Sequence, residues 1–194
     1  MKFVLATFNR DKVRELRAWY RGMPIELQPL YELSGASAPV ETGATLEDNA
    51  QLKANAAAKL ARLPAIADDT GLEIDALNGR PGVRSARYAG VGATDAMNVE
   101  AVLEQMKDVP DSARSARFRT VMVAVVPGRR DVIAEGELEG VIIRVPRGAN
   151  GFGYDPIFQL PEGRTLAELT LEEKNRVSHR AEAARVLAEQ LGLV

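Results

Sequence analysis

The chain has 194 residues, 46% of them apolar and 5% aromatic, with no cysteine and a formal charge of −2. The absence of cysteine excludes a disulfide framework and thiolate zinc sites, and the lone histidine, His179, argues against a transition-metal centre, so any metal is expected to be a hard cation held by carboxylates. The acidic balance supplies no basic field for a long nucleic acid, and no run of about 18 apolar residues is available to span a membrane. The apolar stretch after Lys2 is also too short for a signal peptide, so the expectation is a soluble, cytoplasmic protein with neither membrane nor nucleic-acid partner.

Apolar Phe3–Ala6 predicts a first strand, followed by a polar turn at Thr7–Asp11 and a helix from about Asp11 to Arg21 with Val13, Leu16 and Tyr20 on one face. Met23–Leu30 reads as a second strand. Thr45-Leu-Glu-Asp48 has the form of a capping box, opening an alanine-rich helix to about Arg62. Pro64–Asp68 predicts a buried strand and Leu72–Leu77 a further short one, with turn chemistry at Asn78–Gly82. Thr94–Lys107 is helical, with Met97, Ala101 and Met106 apolar. Arg117–Val126 is a long strand, and Val132–Val145 reads as two strands broken at Gly136 and Gly140. A glycine-rich loop, Gly148–Pro156, precedes the strand Ile157–Leu160. The chain closes with a helix to about Leu191, breakable near Ser178, whose stripe is Val177, Ala181, Ala184, Ala188 and Leu191. This order predicts one α/β domain over 1–194.

Five clusters carry candidate chemistry. Thr7-Phe8-Asn9-Arg10-Asp11-Lys12 lies at a strand-to-helix turn, where backbone N–H groups and the helix dipole favour a phosphate; equally, Asn9 can simply cap the helix and Lys12 be solvated. Glu41-Thr-Gly is an ordinary loop acid unless a cation is shared nearby. Asp68 and Asp69 leave an apolar strand, and buried acids are costly unless paired or metal-bound. If the strand persists through them, one faces a site and the other anchors backbone; the alternative is an Asx turn into Thr70-Gly71. In Gly148–Pro156, glycines admit a close ligand and Phe152 and Tyr154 offer stacking faces. Lys174–Arg180 sets bases beside a buried stripe.

Taken together these segments resemble the inosine triphosphate pyrophosphatase family, enzymes acting on nonstandard purine triphosphates. The resemblance spans essentially the whole chain, through Thr7-x-Asn9-x-x-Lys12, Glu41-Thr-Gly with Asn49-Ala, Ala67-Asp-Asp-Thr-Gly-Leu72, Pro81-Gly-Val-Arg-Ser-Ala-Arg-Tyr88, Gly151-Phe-Gly-Tyr-Asp-Pro156 and Ser178-His-Arg180. It implies an α/β fold with a long central mixed sheet flanked by helices, two lobes with the substrate in a cleft between them, and a homodimer. By the same resemblance, Thr7, Phe8, Asn9, Arg10, Asp11 and Lys12 hold the phosphates, Asp69 binds Mg2+ and acts as general base, Glu41 joins the metal shell and Thr70 touches substrate. Phe152, Gly153, Tyr154, Asp155, Lys174, His179 and Arg180 surround the base. The related Maf-like pyrophosphatases are the nearest rival, disfavoured by the Gly151–Pro156 and Ser178–Arg180 motifs.

Overall fold

The structure, a computed structural model, describes residues 1–194. Phe3, Val4 and Leu5 are fully buried in the first strand, β1 (Lys2–Leu5). It pairs in parallel with β2 (Glu26–Pro29) and with β3 (Ala65–Ile74), setting Leu5 opposite Pro29 on one side and Ile66 on the other. A short β4 (Pro81–Gly82) runs antiparallel on β3. With β5 (Ser115–Val125), β6 (Val132–Ile142) and β7 (Phe158–Gln159) these make a seven-stranded sheet of order β2-β1-β3-β5-β6-β7. The β6–β7 pairing is antiparallel, so the sheet is mixed, as the family resemblance implies. The helices are α1 (Arg10–Trp19), α2 (Leu46–Ala61), α3 (Asp95–Gln105), α4 (Leu171–Val177) and α5 (His179–Leu191).

The chain forms two compact units. The first comprises Met1–Asp69, Thr120–Gly136 and His179–Val194, the second Thr70–Arg119 and Glu137–Ser178. In the first, Phe3, Leu5, Ile66 and Met122 from the sheet pack against Val13 and Leu16 of α1 and Ala184, Leu187 and Ala188 of α5. The alanines bring α5 close to its neighbours, while each large side chain contributes roughly 1.5–3 kcal/mol by leaving water. The second unit has its own core of Leu72, Ile74, Met106, Ile142 and Leu166, with the Phe118 and Phe158 rings 4.7 Å apart between centroids.

Local chemistry sets the helix ends. Thr45 caps α2 as expected: its hydroxyl accepts from the Asp48 N–H at 3.1 Å while Asp48 Oδ2 accepts from the Thr45 N–H at 3.1 Å. Ser178 does interrupt the closing helix, adopting extended dihedrals between α4 and α5.

Three expectations are corrected. Pro64–Asp68 and Leu72–Leu77 are not separate strands, because β3 runs unbroken from Ala65 to Ile74. Gly71 makes this possible: a Cβ there would stand 2.8 Å from the Gly82 carbonyl oxygen, so only glycine allows β4 to close on it. Likewise β6 is continuous through Gly136 and Gly140. Both glycines admit a neighbour rather than break the strand, since a Cβ would meet the His179 carbonyl at 2.1 Å and the Gln159 carbonyl at 2.5 Å respectively. Finally, Val177, placed on the buried stripe of the closing helix, is 46% exposed, and Met97, an apolar position of the Thr94–Lys107 helix, is 49% exposed. The break at Ser178 resets the helical phase, leaving Val177 off the α5 stripe of Ala181, Ala184 and Ala188.

Candidate active site

The first unit gathers one charged cluster from β1, α1, α2, β3 and α5. At the β1–α1 turn the Asn9 Oδ1 accepts from the backbone N–H groups of Asp11 at 2.9 Å and Lys12 at 3.1 Å, and the Thr7 hydroxyl oxygen accepts from the Asn9 N–H at 3.1 Å. Asn9 is therefore the helix cap. With their oxygens engaged as acceptors, the Asn9 NH2 and the Thr7 O–H remain as donors, the polarity an anion requires. Phe8 and Arg10 are exposed beside them, Arg10 with its guanidinium 5.1 Å from the Tyr31 ring centroid.

Lys12 is not solvated. Its ammonium lies 2.8 Å from Asp68 Oδ2, and the same oxygen accepts from Arg180 Nε at 3.2 Å. Arg180 Nη1 in turn donates to Glu15 Oε2 at 2.6 Å, deep under the surface. Burial pushes the Asp68 carboxyl up, but Lys12, Arg180 and Lys53 outweigh it and hold the group well below the ordinary range. Burial, with Lys53 and Arg180 as like charges, lowers Lys12, while Asp68 works against them.

On the next residue of β3 the Asp69 carboxylate meets a different partner. Lys53 of α2 donates to Asp69 Oδ1 at 2.7 Å and to Glu41 Oε1 at 3.2 Å, and Asn49 Nδ2 donates to Asp69 Oδ2 at 3.3 Å. Burial raises Asp69 above the usual carboxylate value, and Glu41 adds to it. The opposing Lys53 and Lys12 charges do not cancel the shift. For Lys53 the balance reverses, because burial is outweighed by Asp69, Asp68 and Glu41 and the ammonium is held charged. Adjacent strand residues thus present their carboxylates to different cation sets, Asp68 to Lys12 and Arg180 and Asp69 to Lys53, as the alternation of a strand demands.

The second unit assembles the glycine–aromatic segment. Asp155 Oδ2 accepts from the Phe152 N–H at 2.9 Å and pairs with the Lys174 ammonium, and both side chains are almost wholly buried. Lys174 Nζ sits 4.8 Å from the Phe152 ring centroid. Gly151 has φ +73°, and a Cβ there would stand 2.0 Å from Asp155 Oδ2, so glycine is required by conformation and by space. Tyr154 donates its hydroxyl to the Ser85 carbonyl at 2.8 Å, and burial pushes that phenol up. The Gly153 N–H donates to Asp95 Oδ2 at 2.7 Å. Thr70 follows Asp69 on β3, half-buried.

Thr7, Asn9, Lys12, Glu41, Asp69, His179 and Arg180 all fall within the first unit, and Phe152–Asp155 with Lys174 in the second. Arg180 places its Nε and Nη1 on two buried carboxylates. The anchoring role expected of one acid of the Asp68–Asp69 pair is, for Asp68, a pairing with two cations. Lys53 and Glu15 were missed. Lys53 lies one turn beyond Asn49 on α2, so i,i+4 spacing from a motif residue was the available signal; Glu15, on α1, carries no comparable local signal.

The sequence profile of the Ham1 family matches residues 3–190. A dITP/XTP pyrophosphatase from Escherichia coli (strain K12) is 49% identical over 193 residues, covering 98% of each chain. One from Geobacillus kaustophilus is 47% identical over 190 residues, 97% of this chain and 93% of the relative. Among solved structures, a HAM1 protein from Coxiella burnetii superposes with a TM-score of 0.89 at 45% identity, each chain covered in full (100% and 100%).

Proposed function

This chain belongs to the Ham1 family, and we propose that it hydrolyses the nonstandard purine nucleoside triphosphates ITP, dITP and XTP to the monophosphate and pyrophosphate with Mg2+. The observation that carries this reading is the convergence of Glu41 and Asp69 on one cationic point, 3.2 and 2.7 Å from Lys53 Nζ, beside a helix N-terminus whose free side-chain groups are donors. Two carboxylates facing a common cation position offer the hard oxygen donors that Mg2+ prefers, so these residues fit it. Bound Mg2+ supplies positive charge against the phosphate oxygens.

The chain's own residues supply the rest. Asp69, raised by burial, accepts the proton of the attacking water, the role for which a carboxyl shifted toward neutrality is suited. The water oxygen bonds to the α-phosphorus and the α–β anhydride breaks, so pyrophosphate departs with the electron pair. Lys12, Arg10, the Thr7 hydroxyl, the Asn9 NH2 and the start of α1 oppose the charge developing on that group, with Phe8 and Asp11 completing the turn that presents them. Asp68, Arg180 and Glu15 hold Lys12 in place from below, and Arg180 acts here as a positioning residue.

In the second unit, Phe152, Gly153, Tyr154, Asp155 and Lys174 read the base, and Thr70 touches substrate; His179 belongs to the same set by motif. Hypoxanthine and xanthine present O6 and N7 acceptors, which a Lys174 donor matches, whereas adenine's N6 is itself a donor. An unmatched buried donor costs about 1–3 kcal/mol, or one to two decades of discrimination. A cytoplasmic homodimer completes the reading, supported by the motif resemblance.

The test is product analysis with Mg2+ and, separately, ITP, dITP, XTP, ATP and GTP. Monophosphate and pyrophosphate from the first three, with ATP and GTP nearly untouched, is the expected result. Asp69→Asn is expected to fold and to lose most turnover; normal kcat in that variant sinks the assignment of the base.

A further inference from the structure

Asn49 stands in the first turns of α2 with 0% of its surface exposed, and a buried side-chain amide needs partners on both its halves. Its Oδ1 accepts from the Gly43 backbone N–H at 2.8 Å, and its Nδ2 donates to Asp69 Oδ2 at 3.3 Å. The orientation of the amide is dictated: a backbone N–H can only donate, so the oxygen must face Gly43 and the NH2 must face the carboxylate.

Gly43 lies two residues after Glu41, in a stretch without regular structure. It sits hard against the helix start, where a Cβ would be 2.5 Å from Asp48 Cβ and 2.6 Å from Asn49 Oδ1. The helix turn it rests on is itself closed by the Thr45–Asp48 capping box. One amide on a rigid element therefore grips Asp69 directly and Glu41 through two residues of backbone. Lys53, one turn further along the same helix, points its ammonium between the same two acids.

We propose that Asn49 is a positioning residue that fixes the spacing and direction of Glu41 and Asp69 for Mg2+, an inference that rests on the reading of those carboxylates given above. Groups behind metal-binding carboxylates typically change metal affinity or activity about 10- to 100-fold when removed.

The experiment compares wild type, Asn49→Leu, Gly43→Ala, their double variant and Asp69→Asn. Mg2+ binding is read by calorimetry without nucleotide, turnover by kcat and KM, and the Gly43 amide by hydrogen exchange. Asn49→Leu preserves the side chain's size and removes both hydrogen bonds. It is expected to weaken Mg2+ binding and kcat about 10- to 100-fold, to leave the nucleotide KM at saturating Mg2+ nearly unchanged, and to deprotect the Gly43 amide. Gly43→Ala sets a Cβ against Asp48 and the Asn49 amide oxygen and so parts the Glu41 segment from the helix start; it should weaken Mg2+ binding in a folded protein, and its effect should not add to that of Asn49→Leu. Wild-type Mg2+ affinity in either single variant overturns the inference, and Gly43→Ala decides it if Asn49→Leu does not fold. Loss of turnover in Asp69→Asn alongside a wild-type-like Asn49→Leu discards the Asn49 role and leaves the catalytic reading standing. Full turnover in Asp69→Asn with weakened Mg2+ binding in Asn49→Leu does the reverse.

Discussion

The Lys53 ammonium is 2.7 Å from Asp69 Oδ1, on a side chain that also reaches Glu41 Oε1 at 3.2 Å. Glu41 adds to the burial that pushes the Asp69 carboxyl up, and Lys53 is the fixed charge that opposes both in a partly buried site. Lys53→Met should therefore do more than remove a contact. With the ammonium gone, a charge that holds the Asp69 carboxyl down is lost, and the base is partly disarmed. The expected outcome is a fall in kcat of about 10²–10³, the scale seen when a preorganised charge-stabilising group is removed, with no weakening of Mg2+ binding measured without nucleotide. Unchanged kcat would remove Lys53 from the reaction.

Glu15 supports the site from the opposite side. Its carboxylate is 2.6 Å from Arg180 Nη1, and both side chains are buried. Truncating one member of a buried pair leaves the other desolvated and under-compensated, at a cost of about 3–5 kcal/mol. Glu15→Ala should accordingly lower the melting temperature by roughly ten degrees in a chain of this size. Because Arg180 also holds Asp68, and Asp68 holds Lys12 at 2.8 Å, turnover of the folded fraction should fall as well. A Glu15→Ala protein with wild-type stability would mean that Arg180 relaxes without cost.

Gly136 gives a steric counterpart. A Cβ on this β6 residue would stand 2.1 Å from the His179 carbonyl oxygen and 2.5 Å from the Ala183 nitrogen. Gly136→Ala must push the first turn of α5 outward, displacing His179 and Arg180 together. Overpacking of this kind costs about 1–3 kcal/mol, so urea unfolding should shift by that amount and kcat should drop in parallel. Retained stability together with retained kcat would show that the helix start yields freely.

The elements that were legible are those whose signal is local. The buried run Phe3–Leu5, the capping box at Thr45 and the break at Ser178 are each set by a few neighbouring residues. What failed depended on partners distant in sequence. Gly136 and Gly140 look like strand breakers until His179 and Gln159 are placed beside them, and Gly71 looks like a turn until Gly82 is. The site divides the same way. Asp69, Glu41 and Lys12 sit in recognisable motifs, but Glu15 and Lys53 acquire meaning only through Arg180, 165 positions away, and Asp69, 16 away. No local feature of the Ser178-His-Arg180 motif announces a guanidinium turned inward onto two acids.

Glu173 offers a test of pH dependence away from the reaction chemistry. At the start of α4 its Oε2 accepts from the Thr170 N–H at 2.8 Å and its Oε1 from Arg164 Nη1 at 3.0 Å. The Thr170 backbone donor first, then Arg164 and the Thr170 hydroxyl, hold this carboxyl at about 2, below its ordinary 4.5. A carboxyl held down in the folded state favours folding when ionised, so its contribution is complete above the ordinary value and is lost as pH falls from 4.5 through about 2. Glu173→Gln keeps an acceptor for the cap but removes the charge. Its urea midpoint should therefore lie furthest below that of wild type near neutral pH, and the gap should close on acidification. A gap of constant size across that range would mean that the cap acts through its hydrogen bond alone, with no role for the ionised form.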